Sequence, residues 1–71
     1  MELDKEFEFF SWLIEKYAEA KNRPTGEVLK EWDDKGITQE IYNGYPFYHC
    51  EAIENAFMDI DSLIATGKHA Y

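Results

Sequence analysis

Three groups of side chains in this sequence have the right types for chemistry. Glu31, Asp33 and Asp34 cluster, Asp59–Ile60–Asp61–Ser62 opens like a calcium loop, and His49, Cys50, Glu51 and Glu54 are all zinc-ligand types. Glu31, Asp33 and Asp34 sit where solvated acids belong, on the outer face of a short helix. A calcium loop needs glycine at its sixth position and glutamate at its twelfth, where this chain has Ile64 and Ala70. On a helix Cys50 and Glu54 share a face, but His49 and Cys50 point about 100° apart. Structural zinc needs four ligands, and His69, the other histidine, belongs to a tail expected to be untethered. Cys50 has glutamates rather than cations nearby, so it is expected to be a small buried hydrophobe and not a nucleophile. Thr66–Gly67–Lys68 looks like the end of a phosphate loop, but Ser62 and His69 stand where that loop needs glycine and a hydroxyl residue. No catalytic residue, metal ligand or cofactor is assigned, and the chain is not expected to be an enzyme.

Charge says more about partners. The net charge is −8, from seven basic and fifteen acidic residues. Between Gly36 and Gly67 there is no Lys or Arg, yet Glu40, Glu51, Glu54, Asp59 and Asp61 are all present. Tyr42, Tyr45, Phe47, Tyr48 and Phe57 share that stretch. Such a surface repels nucleic acid and anionic membrane, and suits docking on a basic protein surface. Tyrosine serves interfaces well because its ring can be buried while its hydroxyl stays wet. The candidate partner-binding residues are therefore Tyr45, Phe47, Tyr48 and His49, with the acids Glu51, Asp59 and Asp61. The competing expectation is that these rings fill the core around a Gly44–Pro46 kink. Tyr42 is expected inward, and Tyr45 and Tyr48 at least partly outward.

The elements that must position these residues follow from apolar spacing. With 71 residues, 45% of them apolar, the chain is one small domain over 1–71. Phe7, Phe10, Leu13, Ile14, Tyr17 and Ala18 step by threes and fours, which predicts a first helix over about 4–21. Thr25 is expected to cap a short second helix that ends at Gly36, and Thr38 to cap a third. Gly44 and Pro46 interrupt the third helix. From about Phe47 the periodicity resumes, and Ile53, Ala56, Phe57, Ile60, Leu63 and Ile64 carry it to Gly67. The result is an all-α bundle of three to four helices. Its long, amphipathic first and last helices pack together while the short ones close the open side. Order is expected over about 4–67, followed by a loose C-terminal tail. No apolar stretch approaches the roughly twenty residues that span a bilayer. A lone cysteine and no signal-like start point to bacterial cytoplasm.

GITQEIY from Gly36 and YHCEAIENAFMDIDSLIATGK from Tyr48, with the first helix, resemble a family of short bacterial proteins. That family is catalogued as domain of unknown function three-seven-nine-one. The resemblance covers nearly the whole chain and rests on helix patterning plus Tyr48–His49 and Asp59–Ile60–Asp61. It implies a small helical protein with no established catalytic residues. It also implies a gene neighbourhood of ADP-ribosyltransferase-type toxins, hence a toxin–antitoxin or regulatory partner.

Three functions are weighed. The leading one is a cytosolic protein–protein interaction module, antitoxin-like, bound to a basic or toxin-like partner and able to form a homodimer. The second is a dimeric transcriptional regulator using Val28–Tyr45 as a helix-turn-helix, which the lack of Lys and Arg on its reading helix disfavours. The third is a small metal- or ligand-binding protein built on His49, Glu51 and Glu54.

Overall fold

A computed structural model describes residues 4–70. Its elements are α1 (Lys5–Lys21), α2 (Thr25–Asp34), α3 (Ile37–Asn43), α4 (Tyr45–Tyr48) and α5 (Ile53–Thr66), with no strand among the described residues. The all-α class is as expected. The fifth helix is the single turn α4, separated from α3 by Gly44 alone and from α5 by residues 49–52. The last helix thus starts at Ile53 rather than near Phe47.

Local chemistry accounts for most helix ends. Asp4 caps α1, its carboxylate accepting from the Phe7 amide at 2.8 Å. Asn22 closes α1 in the left-handed region (φ 55°), a conformation that asparagine tolerates better than most residues. Gly36 (φ 74°) joins α2 to α3, where a side chain would be strained. Two capping expectations are corrected. Pro24, not Thr25, holds the N-cap position of α2, because its fixed φ suits the extended backbone just before a helix. Gly36, not Thr38, precedes α3, and the Thr38 hydroxyl instead donates to Asp33 at 2.7 Å.

The core gathers Phe10, Leu13, Ile14 and Tyr17 of α1 with Val28 and Trp32 of α2. Ala18 of α1, Ile37 and Ile41 of α3, Tyr48 of α4 and Ala56, Ile60 and Leu63 of α5 complete it. Aromatic edges bind the layers: Trp32 meets Phe10 and Tyr17 at centroid distances of 5.8 and 5.3 Å. The short α3 is the hub of the bundle. The backbones of α1, α2, α4 and α5 all approach it, and its two isoleucines are fully buried. It does not merely close an open side. The two long helices do meet, through Tyr17 packed edge-on against Phe57 at 5.5 Å. Among the described residues no helix is long and apolar enough to cross a membrane.

Candidate functional site

Halfway along α5 the alternation Asp59–Ile60–Asp61 sends three side chains three ways, since successive helix positions turn by about 100°. Ile60 enters the core with no exposure. Asp61 turns toward α1, where it accepts from the Tyr17 hydroxyl at 2.7 Å and the Lys21 ammonium at 2.9 Å. Asp59 turns the other way and is 2% exposed, the only polar residue buried among those described.

A buried carboxylate is tolerable only with donors around it, and Asp59 has three. The Tyr48 hydroxyl from α4 donates to Oδ2. His69 Nδ1 donates to the same oxygen at 2.7 Å, and the Ala70 amide donates to Oδ1 at 2.6 Å. The opposite ring nitrogen of His69 lies 3.0 Å from Glu40 Oε2 on α3. A carboxylate at each ring nitrogen favours the imidazole that donates on both sides, which is the protonated form.

The segment after Gly67 was expected to be loose, yet it supplies two of the three donors. Gly67 (φ 76°) reverses the chain. Ser62 Oγ and Thr66 Oγ1 then hold the Lys68 carbonyl, at 2.8 and 3.4 Å. That bend lays His69 and Ala70 back along α5.

The electrostatics follow from these contacts. Burial alone pushes the Asp59 carboxyl up, but the hydrogen bonds from Tyr48, His69 and Ala70 offset it and hold it below the ordinary carboxylate value. Hydrogen bonds to Asp59 and Glu40 raise His69 above its ordinary value, against a smaller opposing effect of burial. Burial, then the bond to Asp59, pushes the Tyr48 phenol far up, so it remains a donor. Tyr17 is raised for the same two reasons, with Asp61 as its acceptor.

A cleft of about 360 Å³ opens beside this network. Phe47 and Tyr48 wall it, Asp59 and His69 lie along it, and Asn43, Gly44 and Glu51 complete its lining. Gly44 is required there by close approach, since a Cβ would stand 2.7 Å from the Tyr48 ring.

The expected partner-binding residues divide into two sets. Phe47, 73% exposed, His49 and Glu51 face solvent, and Tyr45 is half-buried. Tyr45 stacks on the His49 ring at 4.3 Å and meets Phe9 edge-on at 5.6 Å. Tyr48 and Asp59 are interior, so the expectation that Tyr48 faces at least partly outward is corrected: its hydroxyl is drawn inward by the buried carboxylate. Asp61 lies on the far side of α5, away from the cleft residues, and is paired with α1. Cys50 is exposed rather than buried, because it falls between α4 and α5, where no helix face turns it inward. Tyr42 packs against the core as expected. Sequence reasoning missed His69 and gave Glu40 no role at the site. The available signals were Gly67 as a reversal and a histidine ten positions beyond a mid-helix aspartate.

Fold and site together define a small all-α domain pinned by a tyrosine–aspartate–histidine network around a buried carboxylate. The family model described as "Protein of unknown function (DUF3791)" matches residues 8–66, and the chain belongs to that family. No curated protein and no solved structure matches it. Glu40, Tyr48 and Asp59 lie inside the matched segment, and His69 and Ala70 lie beyond it.

Proposed function

We propose that this chain is a cytoplasmic, non-catalytic protein-binding module. It covers a basic site on a partner protein, in the manner of an antitoxin. The observation that carries this reading is Phe47, 73% exposed at the lip of a cleft within a stretch that has no Lys or Arg. An aromatic ring of that exposure beside Glu51 matches the composition of an interaction anchor, which is an aromatic with a polar rim. The acids give the surface its preference for a cationic partner and speed encounter with one. Trp12 on α1, about half exposed and beside Phe9, offers a separate apolar surface for a second copy of the chain.

The test is co-expression with the protein encoded by the neighbouring gene, followed by co-purification and calorimetry. Phe47→Ala is expected to weaken that complex at least about tenfold, the effect of losing an anchor of about 1.4 kcal/mol or more. Glu51→Lys should weaken it further, and the loss should shrink as salt is raised. Absence of a complex with the wild-type chain ends this reading.

A further inference from the structure

The donors on Asp59 fall into two kinds. Tyr48 reaches it from α4, inside the fold. The other two donors, the His69 ring and the Ala70 amide, come from a segment with no helix of its own. That segment is tethered by Ser62, Thr66, Asp59 and Glu40. His69 itself is exposed by nearly half, at 44%, while the Asp59 side chain beneath it is exposed by only 3%. An imidazole whose protonated form is favoured therefore sits on a buried carboxylate from the solvent side, along the cleft, in the position a bound ligand would take.

We propose that Asp59, with Tyr48 behind it and Glu40 in front, is a binding site for an organic cation carrying N–H donors. His69 fills this site from within the same chain, and the segment 68–70 is a detachable plug on the cleft.

Geometry and charge carry the argument. Three groups face the imidazole: Asp59 on α5, Tyr48 on α4 and Glu40 on α3. Glu51, after α4, also lines the cleft, and Lys68 precedes the histidine in the chain. Two carboxylates touch the ring, so the site selects a protonated ligand. Deprotonation leaves one ring nitrogen as an acceptor facing a carboxylate oxygen, which loosens the plug. Its hold accordingly weakens as pH rises through the raised value of His69. With the plug out, a lysine or arginine side chain of a basic partner meets the same donor requirements. That last step alone rests on the protein-binding reading.

The test replaces the cis ligand by a free one. In His69→Gly at pH 6, imidazole at rising concentration is expected to raise Tm saturably beyond the effect of sodium chloride at equal ionic strength. The rise should vanish at pH 9 and in the double variant His69→Gly, Asp59→Asn. An equal rise in the double variant, or none above the salt control in the single one, overturns the proposal. If His69→Gly does not fold, NMR titration of the intact chain decides. The His69 midpoint should fall in Asp59→Asn and in Glu40→Gln, and the protection factor of the Ala70 amide, taken against its intrinsic exchange rate at each pH, should fall above that midpoint. A midpoint indifferent to Asp59→Asn overturns the proposal equally, and neither readout requires a partner protein.

Discussion

Helix α5 carries two tyrosine–aspartate–cation arrangements on opposite sides, set apart above all by burial and by the nature of the cation. Asp61 and Lys21, with side chains 45% and 39% exposed, meet the hydroxyl of the core residue Tyr17 where α5 joins α1. Tyr48, Asp59 and His69 join α5 to α4 and the following segment, with the aspartate buried. Water screens the first carboxylate and could replace either of its partners. The second has no such substitute, so removing a partner leaves a desolvated charge. The cations differ as well. Lysine stays charged across the physiological range, whereas histidine titrates within it. One arrangement is a constant surface brace, and the other responds to conditions.

The residue between them sets the upper limit of effect. Ile60→Ala should cost about 2–5 kcal/mol in urea denaturation, as for truncation of a fully buried side chain. Phe57→Ala belongs at the lower end of that range, since Phe57 is only partly buried against Tyr17. Unchanged melting in both would mean that α5 presents another face to the core.

Next come the aspartates themselves. Asp59→Ala should destabilise by about 1–3 kcal/mol, the effect of stranding buried donors. Asp61→Ala should cost less, about 0.5–1.5 kcal/mol, because its pair with Lys21 is exposed and only the part-buried Tyr17 hydroxyl loses an acceptor. Equal losses would break the contrast, because they would show that burial is not what separates the two sites.

The pH profile sharpens it. His69 is raised from 6.5 in the fold, so its stabilisation is complete below that value and is lost as pH climbs through the higher folded one. Asp59 is lowered from 3.8, so its contribution is present above that value and is lost as pH falls through the lower folded one. Denaturation midpoints should decline on the alkaline side in the wild type and stay flatter in His69→Gln. Lys21→Gln should leave that alkaline decline in place. The smallest change is expected for Phe47→Ala, within about 0.5 kcal/mol of wild type, because its exposed ring contributes little to the core.

Local features were readable in advance because their causes are local. The apolar face of α1, the glycine ends at Gly36 and Gly67 and the break at Gly44–Pro46 each depend on a few neighbouring residues. The caps Thr25 and Thr38 were misplaced by one or two positions, since proline and glycine backbones can open a helix without a hydroxyl. Tyr48 and Cys50 were misjudged because residue type was allowed to decide their side. Tyrosine's suitability for interfaces placed Tyr48 outward, but the buried Asp59 carboxylate draws its hydroxyl in, and the lack of nearby cations placed Cys50 inward, but residues 49–52 form no helix and leave it exposed. The candidate site was half legible: Tyr48, Asp59, Phe47 and Glu51 were named, but as one outer surface rather than as a buried network and the cleft beside it.

Composition and periodicity by themselves determined an all-α domain with long first and last helices and an acidic, cation-free half. Those properties sum over short stretches and need no knowledge of distant neighbours. Only tertiary structure decided that α3 is the hub, that Asp59 goes inside while Asp61 stays near water, and that His69 returns to meet it. An aspartate's burial depends on donors gathered from residues 48, 69 and 70. Chain folding brings them together, and no local pattern records it.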